Sequence, residues 1–135
     1  MSEVLRTQIR TAAHHAARES LNAAAGAASE AAITQLLRVE LTERLGRKIT
    51  VLDHAPFQCV LHTSSGTPVL SRMEVDLLLL DENGTPLFGI ELKVAIGSGA
   101  VKAAVRQTKK YVLQVKIPFA LVVIGTEGDC TVDFF

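Results

Sequence analysis

Apolar positions recur along this chain at two periods, and the periods divide it into segments. Residues 30 to about 45 carry Ile33, Leu36, Leu37 and Leu41 at the three- and four-residue spacing of one helical face. Ser29 is placed to cap that helix and Gly46 to end it. Glu30 and Glu40 fall within or beside the apolar stripe and Glu43 nearer its edge, and a carboxylate turned toward a core needs a partner. Upstream, residues 2 to about 25 are rich in alanine, which favours helix, but hold few large apolar side chains. They predict an accessory helix packed on the domain or on a second subunit, or else a frayed arm. His14 and His15 are adjacent, cannot share a helical face and read as solvated. Residues 49–53 and 57–62 have strand character, with Pro56 read as a break between them. A turn-rich loop follows at 63–68, then strands at 73–80 and 87–94 joined by a turn at 81–86. A glycine-rich connection at 96–100 leads into a helix from about 100 to 114, and Pro118 precedes a last apolar strand at 119–124. Residues 130–135 offer a further short strand. The predicted order is α–α–β–β–β–α–β.

The 73–94 hairpin carries the candidate chemistry. Asn83-Gly84 suits a two-residue type I′ turn, because both residues tolerate positive φ. With these two as the loop, facing residues have numbers summing to 167, so Asp76 faces Glu91 and Glu74 faces Lys93. Alternation puts Glu91 and Lys93 on one face and Phe88, Ile90 and Leu92 on the other. Opposed carboxylates repel, and the apolar runs around them predict a buried sheet where unpaired charge is costly. Lys93 supplies one neutralising charge and a divalent cation would supply two. Mg²⁺ takes oxygen ligands and is held by carboxylates, water and substrate phosphate, so the set implies a hard cation and a phosphate substrate. The ordinary alternative is an exposed hairpin with alternating salt bridges, which the apolar character of both strands disfavours.

Bulk composition narrows the setting. A length of 135 residues suits one compact domain, and 48% hydrophobic residues excludes a disordered chain. Fourteen basic residues balance fourteen acidic ones, so any case for nucleic acid rests on local clustering. Such a cluster exists: between Leu92 and Thr126 there is no Asp or Glu, while Lys93, Lys102, Arg106, Lys109, Lys110 and Lys116 are basic. A patch of this kind can track a phosphodiester backbone, although a solvated helix face would look the same. Gly97 and Gly99 lack the third glycine of a dinucleotide fingerprint, but a helix N-terminus there could touch a phosphate. Cys59 and Cys130 form no disulfide framework and no zinc-ligand spacing, and Cys59, His54 and His62 read as packing or surface residues. No secretory pattern and no bilayer-length apolar run is present, which predicts a cytoplasmic protein without membrane contact.

Asp76 followed by Glu91-Leu92-Lys93 across a hairpin, within RMEVDLLLLDENGTPLFGIELK, resembles the PD-(D/E)xK nuclease superfamily. The resemblance runs from about Glu30 to Ile124. It implies an α/β fold with an αβββαβ restriction-endonuclease-like core, in which helices flank a central mixed sheet. Residues 1–28 would add an accessory helix to a nuclease-like domain at 29–135. Gln107 and Tyr111 match the Gln-x(3)-Tyr helix of RecB-type and Cas4-type members, placed near the bound strand. The family often adds an acid from its first core helix, and Glu30 is the first candidate with Glu40 in reserve. The family's proline before the Asp is replaced here by Val75. By this resemblance, Asp76, Glu91 and the Leu92 backbone carbonyl would bind Mg²⁺ or Mn²⁺, and Lys93 would position water or stabilise transition-state charge. Gln107, Tyr111, Lys102, Arg106 and Lys109 would contact substrate.

The implied activity is phosphodiester hydrolysis, foremost by a DNA endonuclease of restriction, repair, recombination or phage defence. The alternative is a non-catalytic nucleic-acid-binding or interaction module that keeps the fold. A homodimer, through the alanine-rich helix or Phe134-Phe135, and a separate targeting partner both remain open.

Overall fold

The computed structural model describes residues 2–22, 29–94, 97–125 and 127–135. In chain order these form α1 (Ser2–Asn22), α2 (Glu30–Leu45), β1 (Thr50–His62), β2 (Pro68–Leu80), β3 (Pro86–Val94), α3 (Ser98–Val115), β4 (Phe119–Ile124) and β5 (Cys130–Phe134). The strands make one mixed sheet in the order β1-β2-β3-β4-β5, antiparallel except where β3 runs parallel to β4 across the α3 connection. The expected helical and strand segments are present, and the tail adds the fifth strand.

The main core lies between the sheet and the first two helices. Ile33, Leu37 and Leu41 of α2 meet Val51, Leu77, Leu79, Phe88, Ile90, Leu92, Ala120, Val122 and Ile124 there. The alanine-rich α1 joins this core through Leu5, Ile9, Ala12, Ala13, Ala16 and Ala17, all at most 6% exposed. Its small side chains let it lie close to its neighbours instead of fraying, and they leave its apolar stripe covered. The Ser29 hydroxyl accepts the Ala32 N–H at 3.1 Å, and Gly46, at φ +74°, donates to the Thr42 carbonyl. Both ends of α2 therefore stop where their capping residues stand. On the opposite sheet face, Tyr111, Val112 and Val115 of α3 pack on Met73, Val75 and Phe119.

Two boundaries differ from expectation. Pro56 does not break β1, because β1 is a sheet edge, where a residue without N–H is tolerated; it pairs with Glu74. The β1–β2 ladder then continues to His62↔Pro68, so residues 68–72 are strand and the turn shrinks to a tight loop in which Thr63 N–H donates to the Thr67 carbonyl at 3.0 Å. The 96–100 connection falls partly outside the described residues, and α3 already begins at Ser98.

Candidate functional site

The hairpin register agrees with expectation but arises differently. Leu77↔Ile90, Leu78↔Gly89 and Leu79↔Phe88 all sum to 167, while Leu80↔Pro86 sums to 166 after a bulge. Only Gly84 has positive φ in the turn, at +79°. The Asp81 carboxylate accepts the N–H groups of Asn83 and Thr85, both at 2.9 Å, which favours a longer Asp-anchored loop over the two-residue type I′ turn. The bulge then absorbs the one-residue difference, and the strands reach Asp76 in the expected alignment.

At Asp76 the backbone ladder gives way to side chains. The Asp76 carboxylate accepts the Leu92 N–H at 2.8 Å, and the Glu91 carboxylate accepts the Asp76 N–H at 3.4 Å. Each acid is thus held by the other strand's backbone. A second irregularity coincides: Leu77 and Leu79 belong to the main core, whereas Met73 and Val75, of the same parity, pack on the α3 side. The strand changes face at Asp76, beside His54 of β1, whose φ is +49°.

Glu91 is only 6% exposed. Burial pushes its carboxyl up to about 8, the Asp76 and Glu30 charges push the same way, and the Asp76 N–H and Lys93 offset part of this. Glu91 thus holds a proton at neutral pH unless more positive charge arrives. Lys93 is half-buried at the same end of β3. The Leu92 side chain is in the main core, so only its backbone reaches the site.

The structure separates the two helix acids. Glu30, in the first turn of α2, is exposed yet close enough for its charge to act on Glu91. Glu40 is engaged elsewhere: its carboxylate lies 2.7 Å from His15 Nδ1 and 3.1 Å from Arg44 Nε. His15 is therefore a half-buried side chain set against Glu40 between α1 and α2, not a fully solvated one.

Helix α3 supplies a wall. Lys93 shares a cleft of about 260 Å³ with Ala100, Ala103, Ala104 and Gln107. Gln107 also borders a second cleft of about 390 Å³, lined by Arg72, Glu74, Lys110 and Tyr111 among others. The Gln107 amide donates to the Tyr111 hydroxyl at 2.6 Å, and the Tyr111 ring leans on Phe119 with centroids 5.9 Å apart. Gln107 thus joins the lysine end to the tyrosine end. Lys102, Arg106 and Lys109 are exposed but border neither cleft, and the Lys109 ammonium lies over the Phe135 ring instead. Besides Lys93 in the first cleft, the cations that border the second are Lys110 and Arg72. Lys110 follows Gln107 by three residues, which a helical wheel would have shown. Arg72 was hidden by reading its strand from residue 73.

The donor set is of the kind a hard divalent cation takes, since it offers two carboxylate groups joined through the backbone of the facing strand, one of them, Glu91, raised by burial and by the Asp76 charge. Among the described residues no three His, Cys, Asp or Glu side chains converge at metal-ligand spacing, so Glu30, whose charge acts on Glu91, does not complete a three-acid cluster. Cys130 is half-buried with its thiol pushed up to about 11 by burial and by Asp129, which removes it as a nucleophile. Among the described residues no helix is long and apolar enough to cross a membrane. No protein-family model matches the chain, and no curated protein matches it.

Proposed function

We propose that this chain is a metal-dependent nuclease of restriction-endonuclease-like fold that hydrolyses phosphodiester bonds, with DNA as substrate. The supporting observation is the buried Glu91 carboxyl beside the half-buried Asp76: burial first, and the Asp76 charge second, push Glu91 up to about 8. A site that holds two acids against burial is relieved by a bound cation. Mg²⁺ or Mn²⁺ would be held by Asp76, Glu91 and the Leu92 backbone. Such an ion supplies polarisation of a phosphoryl oxygen and a more acidic water.

The chain's own residues account for the rest. Lys93 borders the cleft beside the acids, where its ammonium can donate to a phosphoryl oxygen as negative charge builds. The alanines at 100, 103 and 104 keep that wall low. Gln107 and Tyr111 orient one another and offer hydrogen bonds along the cleft. Arg72 and Lys110 would attract flanking phosphates in the adjoining cleft that Gln107 also borders.

The test is incubation with supercoiled, linear, single-stranded and branched DNA, and with RNA, in Mg²⁺, Mn²⁺ or EDTA. Cleavage is expected with either metal and none in EDTA. Asp76→Ala and Lys93→Ala should each reduce it by about 100-fold or more. Cleavage that persists in EDTA or in both variants would refute this site. Binding without cleavage of any substrate would instead identify a non-catalytic nucleic-acid-binding module.

A further inference from the structure

The β1–β2 hairpin extends well beyond the rest of the sheet. Its strands pair from Thr50↔Leu80 to His62↔Pro68, whereas β3 pairs with β2 only from Leu77 to Leu80. Phe57 and Met73 pack against α3, and past them the described side chains of the ribbon are exposed or half-buried. Val60 is 42% and Leu70 73% exposed; they are cross-strand partners and so share one ribbon face, while Val69, 46% exposed, lies on the other.

The outer edge of β1 is a sheet edge with backbone groups left to pair. Its first half is protected. Asp53 is bonded by Gln35 of α2, His54 turns the backbone to φ +49°, and Pro56 lacks a donor. The other edge, β5, is five residues long and carries Asp133. Residues 57–62, FQCVLH, have none of these devices: no Asp, Glu, Lys, Arg or Pro. The charge-free stretch spans residues 56–71, which includes the whole ribbon tip.

We propose that the 57–62 edge of β1 joins two copies of this chain, strand to strand and antiparallel across a two-fold axis. A strand paired antiparallel with its own copy is satisfied at two, and the edges left outside are the short β5 strands that carry Asp133. Identical surfaces bring identical charges together, and this is the one long exposed ribbon where that carries no repulsion. A nucleic acid would find no cation on it, and an acidic or basic protein no counter-charge. A lone two-stranded ribbon is marginally stable, and pairing would widen it to four strands. This interface stands apart from the nuclease reading and survives if that reading fails. Of the two dimer surfaces expected from sequence, the apolar side of α1 is buried in the core, and at the C-terminal pair Arg6 and Arg10 lie over the Phe134 ring.

The experiment is sedimentation of the full chain across a concentration series, with Val60→Glu and Val60→Lys made separately. The wild type should approach twice the 14.5 kDa chain mass. Each variant should remain at the monomer mass with unchanged circular dichroism, and mixing the two should restore the dimer by placing opposite charges beside the axis. Independently, amide exchange of residues 57–62 in the wild type should slow as concentration rises, a reading that holds even if a variant misfolds. A wild type that stays monomeric to its solubility limit overturns the proposal, as do dimers that persist in both variants or amide protection that ignores concentration.

Discussion

Replacing Glu91 by Gln removes the buried carboxyl of the candidate site while keeping its shape, and the consequence for stability has a definite sign. The folded protein holds the Glu91 proton up to about pH 8, against an ordinary value of 4.5. An acid raised on folding contributes fully below its unfolded value and loses that contribution as pH rises through the folded one. The metal-free wild type should therefore lose stability between about pH 4.5 and 8, the reverse of a salt-bridged carboxylate. A span of about 3.5 pH units at about 1.4 kcal/mol each sets a ceiling of about 5 kcal/mol. Strand relaxation and water entry at the half-buried Asp76 lower this, and a measured loss of about 2–3 kcal/mol is expected. Urea unfolding in EDTA at half-unit pH steps from 4.5 to 9 gives the curve for each protein. The chain's four histidines are common to both, so the difference between the curves isolates Glu91. Glu91→Gln should be flat where the wild type falls, and more stable at pH 8. Mg²⁺ or Mn²⁺ at about 100 times its Kd should add about 2.7 kcal/mol to the wild type at pH 8, less at pH 5 where protons compete, and little to the variant. Parallel curves for the two proteins would mean that burial does not govern Glu91 and that no cation is needed to relieve it.

Three further outcomes follow from other parts of the fold. Ile9→Ala, at a fully buried position of α1, should cost about 2–4 kcal/mol in urea unfolding, whereas a frayed arm would lose almost nothing. Gly89→Ala should cost about 1–3 kcal/mol and lower the melting temperature, since an added Cβ would lie 2.5 Å from the fully buried Phe119 ring. Gln35→Ala should move the Asp53 carboxyl, held low chiefly by the Gln35 side chain, back toward 3.8 in an NMR titration. A lowered carboxyl contributes above its unfolded value and fails as pH falls through the folded one, so this effect is confined to pH below about 4 and leaves the Glu91 window undisturbed.

Much of the fold could be read from periodicity because its elements are locally consistent. Helix α2 has a stripe, a serine at its start and a glycine at its end, and all three act as their chemistry dictates. What could not be read were compensations. Asn83-Gly84 pointed to a turn that does not form, because Asp81 offers its carboxylate to two amides and draws the loop one residue wider. The bulge at Leu79/Leu80 restores the alignment. A correct register thus emerged from an incorrect turn. Pro56 misled for a related reason: its cost depends on whether the strand is interior or at an edge, and strand order is a property of the whole sheet.

The candidate site divides along the same line. Residue types were legible, because two acids and a lysine among apolar strands are expensive unless something uses them. Their partners were not. Glu30 and Glu40 look alike on a helical wheel, and only the arrival of His15 from a separate helix takes Glu40 away. Lys102, Arg106 and Lys109 looked as suitable as Lys110, until the packing of Tyr111 on Phe119 fixed which side of α3 faces the cleft. Asp76 shows the limit most sharply. It stands where the β2–β3 ladder ends, where β2 changes face and where side chains take over from backbone in holding the strands. Period-two alternation assumes a regular strand, so it loses meaning at the residue on which the site depends. Local rules fail there because regular backbone pairing ends and each carboxylate bonds the facing strand's backbone instead, an arrangement that only the packed sheet, not the sequence period, reveals.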